Sequence, residues 1–387
     1  MPAIELAPAQ TSGTTAAHAS AALAEADRLM TVCNSCRYCE GLCAVFPAME
    51  MRRSFADGDL NYLANLCHSC GACYSDCQFS PPHAFAVNVP RVLAEVRNES
   101  YAQYVWPRAL APLFARNGMA IAIAAAVSVA AFLFGFMALN DRAVMFGVQA
   151  GEGAFYRLMP HNVMALLFGA AFLYAILAIG LGLRAFRQDI GAPSGMMRDP
   201  GDNWQAAQDT ASLRYLDGGG AGCMNEDRQP EKDRRKLYHH LTFYGFLLCF
   251  SSTSTATLYH YVLAREAPYP WWDLPVVLGT LGGIGLLIGP LGLMRQKAVR
   301  DPVMREPSGR SMEAAFTLML FGLGLTGLVL LPLRATPAMG TLLAIHLGFV
   351  FGFFITMPYG KFVHGIYRYA ALVRYAQERK ALHGTVP

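Results

Sequence analysis

Residues 33–43 read CNSCRYCEGLC, and residues 67–77 read CHSCGACYSDC. Cys33, Cys36, Cys39 and Cys43 map onto Cys67, Cys70, Cys73 and Cys77 with one offset of 34 residues, which Pro47 and Pro81 also obey. The chain therefore contains an internal duplication of C-x2-C-x2-C-x3-C. Two residues between cysteines let successive thiolates converge on one metal centre while the backbone turns around it, and this spacing favours a cubane [4Fe–4S] cluster. Zinc competes with that reading, but zinc sites use two separated cysteine pairs, and a third cysteine at the same spacing is redundant for a tetrahedral ion. Disulfides also compete, and they need an oxidising compartment. Residues 1–30 are rich in Ala, Ser and Thr, with no basic start and no continuous apolar core. They read as a mobile leader ending in a short helix, not as a signal peptide.

The paired runs resemble the two-cluster bacterial ferredoxins, in which the fourth cysteine of each run serves the other cluster. That resemblance implies one [4Fe–4S] cluster on Cys33, Cys36, Cys39 and Cys77, and another on Cys67, Cys70, Cys73 and Cys43. The proline that directly follows the last cysteine in those ferredoxins lies four residues on here. His68 and His83 stand nearby and read as surface or supporting residues, since eight cysteines already suffice for two cubanes.

The remainder is apolar. A chain of 387 residues that is 54% hydrophobic and 15% charged falls outside the composition of ordinary soluble enzymes and reads as a membrane protein; nothing in it points to nucleic acid. Six apolar runs, at about 119–139, 162–183, 241–263, 274–294, 312–333 and 338–358, each approach the roughly 20 residues that a spanning helix needs. The one long hydrophilic connection, 184–237, is Gly-rich and charged near Cys223 and reads as a surface loop; Cys249 lies in an apolar run and reads as packing. The segments that precede, connect or follow these runs on one side hold 27 Lys and Arg, against 4 on the other. The positive-inside bias then places both termini and the cysteine domain in the cytoplasm, with Trp271 and Trp272 at the outer interface. The expected fold is mainly α: a leader (1–30), a cytoplasmic ferredoxin-like two-cluster domain (31–117), a six-helix transmembrane haem b bundle (118–370) and a cytoplasmic tail (371–387).

Histidines supply the carrier that such a bundle would need. His239 and His240 open the third run, His260 closes it, His346 lies early in the sixth, and His364 lies just past it. Ionisable side chains at membrane depth are costly and usually functional. With the third and sixth helices as neighbours, His239 or His240 faces His364 on the cytoplasmic side and His260 faces His346 on the outer side. Bis-histidine haem b is the natural use, and two haems are expected. On a continuous helix the 18 residues from His346 to His364 return to the same face, and on a straight third helix His239 is better phased with His260 than His240 is. His161 is the spare ligand, whereas His18 and His383 fall in expected disordered ends. The G-x-G-x-x-G match at Gly322–Gly327 lies inside an apolar run with no strand before it, so it reads as helix packing and not as a nucleotide loop.

The duplicated cysteine module, the six runs after it, and the stretches RRKLYHHLTFYGFLLCF and LYHY resemble the tricarballylate-utilisation B or CitB family across essentially the whole chain. MPYGKFVHGIYR (Met357–Arg368) is also similar to the last haem helix of the gamma subunit of respiratory nitrate reductase, whose two haem-ligand positions His364 and His346 match. The family resemblance implies a bacterial inner-membrane protein that reoxidises the FAD of a partner flavoprotein, tricarballylate dehydrogenase. Electrons would then pass through the clusters and haem to quinone. The alternatives are a subunit serving another donor, as in heterodisulfide reductases, and a membrane redox sensor.

Overall fold

The computed structural model describes residues 18–384, apart from 115, 193–198, 217, 219–233 and 308; Cys223 and most of the leader lie outside the described residues. Every regular element among the described residues is helical.

The cysteine runs sit in a helical domain. α1 (Ala21–Cys36) starts at Ser20, whose hydroxyl accepts the Leu23 amide, and buries Leu23, Ala26, Leu29 and Met30. The helix expected at the end of the leader is thus core, and it carries Cys33 and Cys36; the expected boundary at residue 31 falls inside it. His18, expected in a disordered end, hydrogen-bonds Asp57 at 2.6 Å. α2 (Val45–Glu50), α3 (Asp57–Leu66), the single turn α4 (Ala72–Ser75) and α5 (Val89–Tyr104) complete the domain. Tyr62, Leu63 and Leu66 of α3 bury against α1 and α5, burial worth roughly 1.5–3 kcal/mol per large side chain.

α6 (Asn117–Leu139), the short α7 (Arg142–Phe146), α8 (His161–Asp189), α9 (Pro200–Ala211), α10 (Arg235–Leu263), α11 (Leu274–Ala298), α12 (Arg310–Leu333), α13 (Met339–Thr356) and α14 (Val363–Gly384) follow. Five segments, α6, α8, α11, α12 and α13 with the turn after it, are long and apolar enough to cross a membrane. The remaining expected run, the third, forms the 29-residue α10 but is less apolar, because it contains SSTSTAT at 251–257. Four of those hydroxyls turn inward on their own helix, whereas Ser252 donates to the Pro275 carbonyl of α11 at 2.6 Å. Thr253, Ser254, Thr255 and Thr257 each donate to the carbonyl four residues earlier.

Glycines set the close packing. A Cβ on Gly282 of α11 would stand 2.8 Å from both the Cys249 nitrogen and the Gly245 oxygen of α10, so these helices meet backbone to backbone. Cys249 is accordingly a packing residue. Gly322, Gly324 and Gly327 lie inside α12 and accommodate Phe349, Leu286 and His346. The G-x-G-x-x-G match is helix packing.

The expectation of one continuous helix from His346 to His364 is corrected. α13 ends at Thr356, Met357–Tyr359 form a 3-10 turn around Pro358, Gly360 is extended, and α14 begins at Val363. Proline has no amide to continue the ladder, so the phase relation between the two histidines is lost. Residues 371–384, expected as part of a tail, continue α14, whose Ala370, Ala371, Leu372 and Val373 are buried. α14 straps the cysteine domain to the bundle. Arg52 pairs with Asp59 at 2.7 Å and with Glu378 of α14, and the Tyr62 hydroxyl donates to Glu378 at 2.9 Å. Asp189, the last residue of α8, accepts from Asn61 at 3.0 Å and from the Tyr104 hydroxyl. The domain therefore caps one end of the bundle, the end where the basic segments meet.

Candidate metal centres

Two turns bring the sulfurs together. α1 stops at Arg37, whose φ of 54° is left-handed, so the chain reverses between Cys36 and Cys39. The second run leaves α3 at Cys67 and turns through Ser69 (φ 48°) and Gly71 (φ 91°) before α4 presents Cys73.

One open space of about 370 Å³ is lined by Cys33, Cys36, Cys39 and Cys77 with Tyr38 and Phe79. A second, of about 360 Å³, is lined by Cys43, Cys67, Cys70 and Cys73 with Val45 and Tyr215. Phe46 borders both. Each space thus contains three cysteines of one run and the fourth of the other. Among the described residues no three His, Cys, Asp or Glu side chains are drawn together tightly enough to hold one bare ion. Each sulfur set instead rings a volume.

The sulfurs of each set act on one another. Burial, then neighbouring Cys39, Cys77 and Cys36, push the Cys33 thiol up to about 12, and burial with Cys77 pushes Cys39 up to about 11. Cys43 and Cys73 are raised by the same two causes within the other set. Burial and proximity thus favour the neutral thiols, a preference that a bound metal would reverse.

The backbone of the second run is held by four arginines. Arg97 and Arg368 donate to the Cys67 carbonyl at 2.6 and 2.9 Å. Arg235 reaches the His68 and Ser69 carbonyls at 3.0 and 3.2 Å, and Arg300 reaches Ser69 at 2.8 Å. His68 is buried, donates Nδ1–H to the Leu66 carbonyl at 2.9 Å, and is held neutral by burial and by Arg368. His83 is exposed beside Phe79 and Phe85.

Beneath this loop His239 of α10 faces His364 of α14, ring centres 6.2 Å apart. Of the two adjacent histidines it is His239 that faces His364; His240 turns away and its Nε2 bonds the Ala211 carbonyl at 3.2 Å. His364 donates Nδ1–H to the Lys361 carbonyl, leaving Nε2 as its free nitrogen. Arg235 lies one turn before His239 on α10, and Arg368 one turn after His364 on α14. Each helix thus presents an arginine to the cysteine loop and a histidine to its partner. Sequence reasoning missed the arginines, although RRKLYHH and HGIYR display the i, i+4 spacing that signals them.

The outer pair differs from expectation. His260 does not meet His346: it stacks on His161 with ring centres 3.5 Å apart and Tyr156 at their edges. His346 is hydrogen-bonded through Nδ1 to Thr326 of α12 at 2.9 Å. The cause is the rotation of α13, whose Gly348 and Gly352 lie against Val129 and Ala125 of α6 and so turn His346 toward α12. The side chain of His383 lies outside the described residues.

Comparison with known proteins agrees with this division of the chain. The family model Citrate utilization protein B matches residues 112–384, and the model Citrate utilization protein B Fer4-like domain matches residues 26–103. The Citrate utilization protein B of Escherichia coli is 47% identical over 358 residues, covering 92% of this chain and 93% of that protein. No solved structure matches. A Fer4-like cysteine domain seated on apolar helices, matched along nearly its whole length, places the chain in the citrate utilization protein B family.

Proposed function

We propose that the chain is the membrane electron-transfer subunit of a flavoprotein dehydrogenase. It takes electrons from the reduced FAD of a partner in the cytoplasm and delivers them to the quinone pool, with two [4Fe–4S] clusters and haem b as carriers. The observation that carries this reading is a series: two cysteine-ringed spaces divided by Phe46, and a histidine pair on α10 and α14, each one helical turn from an arginine that bonds the loop of the nearer space.

The residues fit these groups. Each ring of four sulfurs spans two runs, the ligand exchange seen in two-cluster ferredoxins. The 6.2 Å between His239 and His364 suits an iron held from both sides: two bonds of about 2 Å, each to a nitrogen about 1 Å from its ring centre, span about 6 Å. The His364 bond to the Lys361 carbonyl is the kind that orients a metal-bound imidazole. Once bound, clusters and haem supply single-electron transfer, which divides the two-electron chemistry of a flavin. We assign one haem, to His239 and His364, because His260 and His346 are engaged with other partners.

α10 serves as the sixth span. Thr253, Ser254, Thr255 and Thr257 are satisfied within the helix and Ser252 on the Pro275 carbonyl of α11, so its polarity is compatible with lipid. With the basic segments inside, the cysteine domain is cytoplasmic, in the reducing compartment that iron–sulfur clusters need. The name of the E. coli relative connects that protein with citrate utilisation, and we assign the partner's substrate to the same tricarboxylate class, tricarballylate.

The test is reconstitution with the partner flavoprotein in lipid. Tricarballylate is expected to drive reduction of a short-chain quinone only when this chain is present. Flavin that becomes reduced while quinone stays untouched, with the chain's metal content intact, would overturn the reading in favour of a redox sensor.

A further inference from the structure

Arg97, Arg235, Arg300 and Arg368 reach one three-residue stretch, Cys67–Ser69, from α5, α10, the loop after α11, and α14. Their hydrogen-bond partners there are backbone carbonyls and, for Arg97, the Ser69 hydroxyl at 3.0 Å, none of which carries net charge. Arg97 and Arg368 share the Cys67 oxygen, and Arg235 and Arg300 share the Ser69 oxygen. Arg97, Arg300 and Arg368 alone therefore bring three positive charges beside one sulfur set, and Arg97 is almost wholly buried.

The other set has a different setting. Asp76 precedes Cys77 and acts on Cys39, while Arg37 is exposed and points its Nε at the Asn34 carbonyl. Reduction adds negative charge to a cluster, so adjacent positive charge favours the reduced form, most strongly where water screens least.

We propose that Arg97, Arg300 and Arg368 make the centre of Cys43, Cys67, Cys70 and Cys73 the more easily reduced of the two, and so direct electrons toward the bundle. The inference rests on the two-cluster reading above. The step moves one electron: the outer centre is oxidised as the inner one is reduced, and no bond breaks. The reduced flavin of the partner supplies each electron. The electron then resides beside the backbone that Arg235 and Arg368 hold, one helical turn from His239 and His364.

Redox titration of the purified full chain by electron paramagnetic resonance tests this, with Cys33→Ala identifying which signal belongs to the outer centre. In Arg300→Gln the preference of an electron for the inner centre is expected to fall about tenfold, a 59 mV change for a one-electron couple, with the outer midpoint unmoved. Arg300→Lys, which keeps the charge, is expected to stay within about threefold of the wild type. If Arg300→Gln arrives short of iron, Arg368→Gln takes its place with the same expectation. Equal movement of both midpoints, no movement, or a wild type whose outer centre has the higher midpoint would overturn the inference. A wild type with one cluster would instead overturn the two-cluster reading itself.

Discussion

Replacing Cys77 with alanine is expected to remove the cluster held by Cys33, Cys36 and Cys39 and to spare the one nearer Cys77 in sequence. Non-haem iron should fall from about eight to about four atoms per chain, since each cubane holds four. The reason is positional: Cys77 closes the second run but lines the space of the first, across Phe46 from Cys67, Cys70 and Cys73. Cys43→Ala should do the reverse. Electron paramagnetic resonance of the dithionite-reduced variants identifies the surviving signal. Loss of the Cys67 centre in Cys77→Ala would show that each run keeps its own fourth ligand.

Replacing His364 or His239 with alanine is expected to abolish bound haem b, because each supplies one side of the pair at 6.2 Å. Cluster iron should stay near the wild-type level. His240→Ala should keep the haem, losing one hydrogen bond to the Ala211 carbonyl worth about 1 kcal/mol. The reduced-minus-oxidised α band of purified variants, normalised to protein, checks all three. A variant His346→Ala that loses the haem while His364→Ala retains it would move the site to the middle of the bundle.

What the sequence showed follows from how local each signal is. The duplicated cysteine spacing is local; the exchanged sets came from the resemblance to two-cluster ferredoxins, and the two spaces are lined in that arrangement. Five apolar runs became helices long enough to cross a membrane, because length and apolarity are summed along the chain. The third run became α10, whose hydroxyls blur its apolar signal and are satisfied on the helix itself or, for Ser252, on the Pro275 carbonyl of α11.

Non-local features were less legible. The pairing of His260 with His346 required α10 and α13 to meet at their outer ends, but α10 lies along α11, while α13 packs on α6, α12 and α8. That choice of neighbours is made by close contacts such as Gly348 on Val129, invisible to a reading of helix phase. Pro358 and Gly360 are a local signal of the break, and the 18-residue phase of His346 and His364 took no account of them. The arginines were read only as a charge bias, since their hydrogen bonds join residues as far apart as Cys67 and Arg368.

Metal and haem analysis of the wild-type protein, purified without oxygen, tests the central claim most directly. Two cysteine-ringed centres and one histidine pair predict about eight non-haem iron atoms, about eight acid-labile sulfides and one protohaem per chain. Zinc in place of iron, or iron without sulfide, would contradict the clusters. Haem absent from protein with full cluster iron would contradict the assignment of His239 and His364.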